Sequence, residues 1–403
     1  MENNNAICTI VAKNYLSFAR VLTNSFLEHN PTGKVFVLLV DKLDGYFNPE
    51  SEKFELVTVD KLWNEDVQQI LFRSTDALEA CTSLKPYFLQ HLFNNYHFSK
   101  LAYFDPDILI TESLADLWQL LKSYSIVLTP HLTEPIAVND YCKPGEIDVL
   151  RAGIYNLGFI ALANVDSVKA FLKWWWERLK IHCSRSHPIL FVDQKWIDLV
   201  PGYFKDVHIL HDSTYNVAYW NLQSRTVKIE QGRIAVNGQP LHFFHFSGFD
   251  PDNIDEISKY QNRFTLKQMR HLKPLFQTYK DLLVANGYLE TKNWPYAFDY
   301  FDNDVKIPHE ARITYLSLGD KAKEFGDPFR TQGSNSFFRW LKHRRPIRRL
   351  VTASVKSAFR HSPRLLDGLS LISQGMEVIL GISPRPGQHS PTTPANTQVE
   401  QRR

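Results

Sequence analysis

The sequence predicts an α/β protein in which a parallel, helix-covered sheet precedes a mainly helical C-terminal extension. Three observations indicate this class. Apolar strand-like runs alternate with amphipathic stretches from residue 6 onward, an order typical of parallel sheets covered by helices. Beyond about residue 252 this alternation gives way to helical spacing. The 403 residues are 44% hydrophobic with only 17 Gly and 21 Pro, which excludes collagen-like and largely disordered classes.

The predicted strands and helices follow one another along the chain. The first strand-like run covers residues 6–12, and a helical pattern covers 15–27. The later strand-like runs cover 35–40, 54–59, 100–105, 125–130, 155–163 and 242–246. The later helical patterns cover 84–93, 114–121, 168–181 and 193–199. Ligands of such sheets bind at the carboxyl ends of the strands, where we therefore expect the functional site.

Changes in composition divide the chain into four segments. A boundary near residue 260 separates the sheet domain, 1–260, from a helical and aromatic extension, 261–340. Residues 341–383 combine basic side chains with apolar residues at helical spacing. The final segment, 384–403, is rich in Pro, Ser, Thr and Gln, a composition typical of disordered tails.

The net charge of +3 conceals one strongly basic segment. Residues 339–364 contain nine Lys and Arg and no acid, which leaves a net negative charge on the remainder. An amphipathic helix with a cationic face binds anionic membrane surfaces, so we expect residues 339–380 to contact one. The alternative is that their apolar stripe docks on the globular domain. Nucleic-acid binding is not expected, because the rest of the chain is acidic and has no nucleic-acid motif.

Neither a membrane-spanning segment nor a secretory signal is expected. No run of 18 or more apolar residues occurs, and the first residues are polar Asn. The four cysteines form no CxxC pair and indicate neither a zinc site nor a disulfide framework. Unpaired thiols fit a reducing compartment. We therefore expect a cytoplasmic protein that is peripheral on the inner face of a membrane.

Two acids stand at the end of a strand in the segment YFDPDIL. Asp105 and Asp107 are two residues apart, so both carboxylates can face the same side of an extended chain. Facing carboxylates repel each other. A cation such as Mg²⁺, which binds one or two carboxylates together with substrate phosphates, removes that repulsion. The alternative is an ordinary acidic turn at a strand end.

Further short motifs follow these two acids in a fixed order. They are Asn156-Leu157-Gly158, Asp193-Gln194 and His245-Phe246-Ser247-Gly248. With these motifs the chain resembles GT-A glycosyltransferases, particularly the glycogenin and lipopolysaccharide galactosyltransferase-like group, over about residues 6–250. The resemblance implies a GT-A, Rossmann-like fold that transfers a sugar from a nucleotide-diphospho-sugar donor.

The resemblance implies a metal site formed by Asp105, Asp107 and His245. These residues would bind Mn²⁺ or Mg²⁺, which would hold the donor diphosphate and act as a Lewis acid for its departure. Imidazole suits Mn²⁺ as well as oxygen ligands do. Two alternatives stay open at this point: His245 is a core histidine among phenylalanines, or the neighbouring His242 is the ligand.

The resemblance also assigns residues to the nucleotide and its phosphates. Asn14 and Tyr15 match an Asn-Tyr pair that binds the base, expected to be uracil, although the acid that often precedes this pair is Ala12 here. Asn14 could equally cap the first helix. Lys85 occupies the place of a basic residue near the donor phosphates, and Asp105 would also contact the donor. A solvated helix lysine is the alternative for Lys85.

Three further donor contacts are implied at Asn156, Gly158 and Gly248. Glycine weakens a strand unless something approaches the backbone closely. A sugar ring would explain Gly158, and a bulge is the alternative. The family's late motif continues with a phosphate-binding lysine, whereas residues 249–251 of this chain are FDP. Another cation would have to replace that lysine, or the donor is used differently.

Asp193 and Gln194 follow the apolar run ILFV and are implied to be catalytic. Asp193 would bind a hydroxyl of the donor sugar, and Gln194 would lie beneath the anomeric carbon. An amide is a poor nucleophile, which favours a retaining reaction by front-face return over a stable glycosyl-enzyme intermediate. The alternative for Asp193 is a helix N-cap.

The leading hypothesis is a metal-dependent glycosyltransferase. We expect it to move a sugar from a UDP-sugar to a glycan or lipid-linked glycan in surface polysaccharide synthesis. A nucleotidyltransferase is one rival, but the first strand is not followed by a Gly-rich phosphate loop. The other rival is a non-catalytic glycan- or membrane-binding protein on a degenerate transferase scaffold, which Ala12 and the missing lysine favour.

Overall fold

The computed structural model describes residues 5–343 except 186, 188 and 231. Residues through Trp340 belong to one compact unit, and the second unit, Leu341–Arg403, lies almost entirely outside the described residues. The predicted amphipathic segment beyond His343 and the predicted tail, 384–403, lie outside them as well.

Strands and helices alternate through the described residues. The strands are β1 Asn5–Val11, β2 Lys34–Leu39, β3 Glu55–Thr58, β4 Lys100–Phe104, β5 Ile108–Ile110, β6 Ile126–Pro130, β7 Tyr155–Ala163, β8 Val207–Ile209, β9 Val227–Glu230, β10 Arg233–Val236, β11 Gln239–Pro240 and β12 Phe243–His245. The α-helices are α1 Leu16–His29, α2 Glu65–Arg73, α3 Ala77–Tyr96, α4 Ala115–Leu120, α5 Glu146–Ala152, α6 Asp166–Leu179, α7 Val200–Tyr203, α8 Lys273–Ala285, α9 Tyr288–Thr291, α10 His309–Ser317 and α11 Phe337–His343. Within the described part of the chain, none of these helices has the length and apolar character needed to cross a membrane.

A seven-stranded mixed sheet forms the centre of the described structure, which confirms the α/β class. Its order is β3-β2-β1-β4-β7-β6-β8. The first four strands along this order are parallel, as predicted, but β7 is antiparallel to both β4 and β6. The prediction of a wholly parallel sheet is therefore wrong at β7. The connection from β6 to β7 carries only α5, which buries none of its side chains, so no helix-covered crossover keeps the two strands parallel.

The central strands are buried because elements cover both faces of the sheet. All nine residues of β7 are buried, and β1 is buried after its first residue. The α1 and α4 helices contribute Leu22, Phe26 and Leu117 to one core that they share with these strands. Near-continuous apolar sequence is what a doubly covered strand requires. This continuous apolar pattern is the reason that these strands could be predicted from the sequence.

Two helices near the functional edge differ from their predicted bounds. The α3 helix begins earlier than predicted because the carboxylate of Asp76 caps it, accepting a hydrogen bond from Glu79 N at 2.9 Å. The predicted helix over 193–199 is a 3₁₀ helix at Lys195–Leu199 that leads into α7. The Gly202 residue in α7 is a poor helix former and fits the shortness of that helix.

A two-stranded antiparallel ribbon of β5 and β12 positions the functional site. The pairing places His245 opposite Ile108, next to Asp107 in the chain. Phe246 N also donates a hydrogen bond to Asp107 O at 2.9 Å. The late strand therefore returns to the segment that carries the two strand-end acids.

The extension, residues 261–340, packs within the same compact unit as the sheet. Phe276 and Tyr279 of α8 belong to a core cluster that also contains Phe18 of α1. A second contact surrounds Phe72 of α2, whose ring meets four aromatic rings of the extension: Phe301, Tyr315, Phe329 and Phe337. The extension thus adds to the core of the sheet domain. The division at residue 260 stays a prediction.

Candidate active site

Three predicted metal ligands lie together at the end of β4 and β12. Ligand atoms of Asp105, Asp107 and His245 all lie within 4.8 Å of one another. Nε2 of His245 is 3.0 Å from Oδ1 of Asp107 and 3.9 Å from Oδ2 of Asp105. Two carboxylates and an imidazole are a suitable donor set for Mn²⁺ or Mg²⁺. The residues present therefore fit the implied cation.

The charge of His245 depends on this neighbourhood. Burial opposes its protonation, but the carboxylates of Asp107 and Asp105 more than compensate and raise the pKa of His245 above its ordinary value. In the metal-free protein the proton on Nε2 thus faces two acids. A metal ion competes with protons for such ligands, so a cation bound at this point would replace the Nε2 proton.

The neighbouring His242 lies outside this cluster. Its Nδ1 is 2.8 Å from the hydroxyl of Thr214, and its ring stacks on Tyr215 with centroids 4.1 Å apart. Among the two histidines of the late strand, His245 alone meets the acids in the structure as described. The alternative that His242 is the ligand is therefore not supported.

Gly158 makes room for the imidazole of His245. A Cβ atom at residue 158 would lie 2.3 Å from Cε1 and 2.8 Å from Nδ1 of His245. A side chain therefore cannot be added without moving the ring or the strand. The close approach that we expected of a sugar ring is made by this imidazole, and a direct contact of Gly158 with the donor stays a prediction.

Lys85 is buried among polar groups of the site. Its Nζ lies 2.6 Å from Oδ2 of Asp193 and 3.9 Å from Oδ1 of Asp105, and donates to Leu157 O at 2.7 Å. Only 1% of the residue is exposed. The alternative of a solvated helix lysine is therefore wrong. A buried ammonium requires paired charges, which these two acids supply.

Asp193 is a buried acid in a strained segment. Burial raises the pKa of its carboxyl group, and the positive charge of Lys85 opposes that rise. The preceding Val192 has φ +41°, an outlier for a β-branched residue, and such strain clusters at functional sites. The following 3₁₀ helix begins at Lys195 without a side-chain cap, so the structure does not use Asp193 as an N-cap.

The amide of Gln194 is held on three sides. Its Oε1 accepts hydrogen bonds from Leu157 N at 3.0 Å and from Nδ2 of Asn156 at 3.3 Å. Its Nε2 donates to Ala152 O at 3.0 Å. The side chain is 7% exposed. The structure thus fixes this amide against the backbone of β7 and the end of α5.

Asn156, which was predicted to contact the donor, bonds to four protein groups. Its Oδ1 accepts from Gly158 N at 3.1 Å and from Nδ2 of Asn216 at 3.0 Å. Its Nδ2 lies 3.2 Å from Nε2 of His131 and 3.3 Å from Oε1 of Gln194. A side-chain amide accepts two and donates two hydrogen bonds, and all four are used here.

Two residues that bond to the candidate site, Asn216 and His131, were given no site role by the sequence analysis. Oδ1 of Asn216 accepts a hydrogen bond from Nδ1 of His245 at 3.2 Å. Asn216 has φ +53°, a conformation that Asn adopts more readily than most residues. That preference is a weak local signal. Nothing near His131 in the sequence indicates its buried position.

Asn14 and Tyr15, the predicted nucleotide contacts, lie in the short 3₁₀ helix Lys13–Tyr15 that connects β1 to α1. Tyr15 is 44% exposed and stacks on Phe18 with centroids 4.7 Å apart. Asn14 caps neither the 3₁₀ helix Lys13–Tyr15 nor α1, so the capping alternative is wrong. The base contact stays a prediction for both residues.

Gly248, the last predicted donor contact, is required by its turn. It has φ +70°, and an added Cβ would lie 2.5 Å from the ring of Tyr260 and 2.6 Å from Oγ of Ser258. Local packing explains this glycine without a ligand, and its contact with a donor stays a prediction.

The sequence is similar to two curated proteins of Bacillus subtilis (strain 168). Uncharacterized protein YfnF is 29% identical over 262 residues, which cover 63% of this chain and 84% of YfnF. Uncharacterized protein YfnD is 27% identical over 247 residues, which cover 60% of this chain and 76% of YfnD. No protein-family model matches the sequence.

Several solved glycosyltransferase structures are also similar to this chain. The galactosyltransferase LgtC in complex with donor and acceptor sugar analogs has a TM-score of 0.40 and 13% identity, covering 70% of this chain and 95% of LgtC. GlyE of Streptococcus pneumoniae TIGR4 has a TM-score of 0.39 and 13% identity, covering 73% and 66%. The bifunctional WbbM has a TM-score of 0.41 and 14% identity, covering 72% and 50%. At these values the similarities do not identify a reaction.

Proposed function

We propose that this chain is a metal-dependent glycosyltransferase that takes its sugar from a nucleotide-sugar donor, a UDP-sugar. The observation that carries the proposal is the cluster of Asp105, Asp107 and His245, with Lys85 and Asp193 beside it. These three ligands would hold Mn²⁺ or Mg²⁺. When bound, the cation would supply a Lewis acid that neutralises the charge developing on the departing diphosphate.

Lys85 and Asp193 suit the phosphate and sugar parts of the donor. Lys85 lies 3.9 Å from Asp105, so its positive charge reaches the region of the metal ligands and would stabilise donor phosphates. Oδ2 of Asp193 lies 2.6 Å from Nζ of Lys85, so the carboxylate and the ammonium form a buried ion pair beside the metal ligands proposed here. A carboxylate has further acceptor positions, so Asp193 would also accept a hydrogen bond from a hydroxyl of the donor sugar, the role implied by the resemblance.

Gln194 is assigned to the anomeric carbon of the donor. Its amide is fixed by Leu157 N–H and Ala152 O, so it offers a rigid dipole and no strong nucleophile. This supports a retaining reaction by front-face return, in which the leaving phosphate oxygen takes the proton of the acceptor hydroxyl. Exposed Tyr15 would stack on the base, and Asn14 beside it would bind the base edge.

The acceptor and the location of the protein are proposed from the sequence. A glycan or lipid-linked glycan of surface polysaccharide synthesis would be the acceptor. Residues 339–380 would hold the protein on the anionic inner face of the membrane, with the sheet domain in the cytoplasm. No nucleic-acid partner is proposed.

A thermal-shift panel tests the reaction class and the metal site together. The wild-type protein is combined with UDP-, GDP-, TDP- and CMP-sugars, each with Mn²⁺, Mg²⁺ or EDTA. We expect a Mn²⁺-dependent shift with a UDP-sugar, because a ligand at 100 times its Kd stabilises the folded state by about 2.7 kcal/mol. The Asp107→Asn variant should lose the metal-dependent shift.

The control is Asp166→Asn, which removes a carboxylate from the exposed surface of α6 and should keep the full shift. Equal shifts in the two variants would exclude the metal role of Asp107. If no nucleotide sugar shifts the wild-type protein, with or without glycan acceptors, the non-catalytic scaffold becomes the better reading.

A further inference from the structure

A chain of buried amides joins His245 to Gln194. Nδ1–H of His245 donates to Oδ1 of Asn216 at 3.2 Å. Nδ2 of Asn216 donates to Oδ1 of Asn156 at 3.0 Å, and Nδ2 of Asn156 donates to Oε1 of Gln194 at 3.3 Å. Each of the four residues is at most 7% exposed. A continuous hydrogen-bonded path therefore connects a candidate metal ligand to the residue assigned to the sugar.

Two backbone amides of β7 fix the direction of the bonds along this path. Gly158 N–H donates to Oδ1 of Asn156 at 3.1 Å, so the amide nitrogen of Asn156 must face the other way, toward Gln194. Leu157 N–H donates to Oε1 of Gln194 at 3.0 Å, which makes that oxygen an acceptor. Oδ1 of Asn156 then takes a hydrogen from Asn216, whose own Oδ1 faces the imidazole.

The path also decides which nitrogen of His245 is available to a metal. Nδ1 already donates a hydrogen bond to Asn216. Nε2 is therefore the nitrogen that faces the acids, 3.0 Å from Oδ1 of Asp107. Hydrogen bonds to the distal ring nitrogen are the usual means by which proteins orient a metal-binding histidine. In this chain the backbone of β7 orients the imidazole of His245 through the hydrogen bonds of two asparagines, Asn156 and Asn216.

Asn156 has no hydrogen-bonding capacity left for a donor sugar. Its fourth bond runs from Nδ2 to Nε2 of His131 at 3.2 Å. Burial lowers the pKa of His131 to about 4, so this imidazole is neutral and accepts the bond at neutral pH. A sugar hydroxyl could bind to Asn156 only by breaking one of four existing contacts.

We propose that Asn156 is a positioning residue that couples the orientation of the His245 imidazole to that of the Gln194 amide, and that it does not contact the donor. The inference rests on the proposed function, because Gln194 is assigned to the sugar there. One side chain thereby holds the metal half and the sugar half of the site in a single geometry.

The test is the affinity of the full-length protein for Mn²⁺ alone, with no nucleotide present, measured from the EPR signal of free Mn²⁺. Loss of the direct outer partner of a metal ligand weakens binding 10–100-fold. Asn156 bonds to that partner, Asn216, so we expect an effect at the lower end of this range, about tenfold, for Asn156→Ala. Asn164→Ala is the matched control. Asn164 follows the opposite end of β7 and donates to Phe98 O at 2.8 Å, so its removal should leave the Mn²⁺ affinity unchanged.

Kinetics separate positioning from donor contact. As a positioning residue, Asn156→Ala should weaken Mn²⁺ binding and, with Mn²⁺ at saturation, should lower kcat for donor hydrolysis through Gln194 with little change in KM for the donor. A raised KM together with unchanged Mn²⁺ affinity would mean that Asn156 binds the donor, which overturns the proposal. A lower Tm with unchanged Mn²⁺ affinity and kcat would show a merely structural role and overturns it too.

Two additions keep the test decisive. If Asn156→Ala does not fold, Asn216→Gly interrupts the same path, and glycine tolerates the positive φ at position 216. This variant should likewise weaken Mn²⁺ binding about tenfold or more.

If the wild-type protein binds no Mn²⁺ and hydrolyses no donor, the proposed function fails. The path is then judged by ¹⁵N NMR of the metal-free imidazoles, where Asn156→Ala should change the Nδ1–H resonance of His245; an unchanged resonance overturns the proposal.

Discussion

At the scale of single residues, His131 makes the folded protein sensitive to acid. Its Nδ1–H donates to Ile154 O at 3.3 Å, and burial lowers its pKa to about 4 from 6.5. The unfolded chain takes up a proton near pH 6.5, whereas the folded protein resists protonation until about pH 4. The stability contributed by neutral His131 is therefore fully present above pH 6.5 and is lost as the pH falls toward 4.

The His131→Gln variant should lack this part of the acid sensitivity. Its amide can donate to Ile154 O and accept from Asn156 without titrating. Between pH 7 and pH 5 the unfolding free energy of the wild-type protein should fall by about 2 kcal/mol more than that of the variant, at 1.36 kcal/mol per pH unit below 6.5. Urea unfolding at the two pH values measures this difference. Equal losses would mean that folded His131 is protonated at pH 5.

Residues proposed to take part in the chemistry were easier to predict than the residues that hold them in place. Asp105 and Asp107 are marked by their place at the end of an apolar strand, whereas Gln194 was assigned from the family resemblance. Asn216 and His131 come from separate segments and meet the site only after folding. Their roles follow from hydrogen bonds to β7, which no local pattern records.

At the scale of elements, the close approach of β12 to β7 predicts the effect of Gly158→Ala. The added methyl group would lie 2.3 Å from Cε1 of His245, so the ring or the strand must move. Overpacking of this kind costs about 1–3 kcal/mol of unfolding free energy. Displacement of the imidazole should also weaken Mn²⁺ binding more than about tenfold. Urea unfolding and EPR titration measure the two effects.

Gly202→Ala is the control for that substitution. Gly202 lies in α7 with no atom within 4 Å of an added Cβ, and its φ is not positive. The variant should keep its Mn²⁺ affinity and gain up to about 1 kcal/mol from helix propensity. Wild-type Mn²⁺ affinity in Gly158→Ala would show that the imidazole is not held against the strand.

Strands with long apolar runs could be predicted from the sequence. Very short strands and the direction of a strand in the sheet could not. The strands β1, β2, β4 and β7 were found because burial on both faces leaves a near-continuous apolar pattern. That pattern is the same whether the neighbouring strands are parallel or antiparallel, so the reversed direction of β7 could not be read from it. The three residues of β5 are too few for any periodicity, although they position the candidate metal ligands.

At the scale of the whole molecule, Arg312 ties the extension to the sheet domain. Its guanidinium is buried and donates to Phe72 O at 2.6 Å and Leu71 O at 3.3 Å, both at the end of α2. It also donates to Phe298 O at 2.7 Å. The extension and the sheet domain should therefore unfold in one cooperative transition.

Arg312→Met should lower the unfolding free energy by at least about 3 kcal/mol, because three buried carbonyl groups lose their charged donor. Arg330→Met, which replaces a side chain that is 73% exposed, should change it by less than about 0.5 kcal/mol. Urea unfolding followed by tryptophan fluorescence and circular dichroism makes the measurement. Two separate transitions in the wild-type protein would contradict the single cooperative unit.

The basic segment, 339–380, gives a prediction for the complete chain at a membrane. Replacing Arg348 and Arg349 together by Gln should lower the partition constant onto anionic vesicles about thirtyfold, as measured by sedimentation at several lipid concentrations, since each basic residue near the surface contributes about 1 kcal/mol. Replacing Lys169 and Lys173 of α6 in the same way is the control and should change sedimentation little. Equal losses in the two double variants would mean that the basic segment does not select the membrane surface.

The contact between Gly158 and His245 has an evolutionary consequence. A side chain at position 158 and an imidazole at position 245 exclude each other in this fold, because the two would occupy the same space. Selection therefore cannot change the two positions independently. A lineage that loses the histidine is released to accept a larger residue in the strand, whereas a lineage that keeps the histidine must keep the glycine. Among descendants of a common ancestor, these two positions should accordingly vary together.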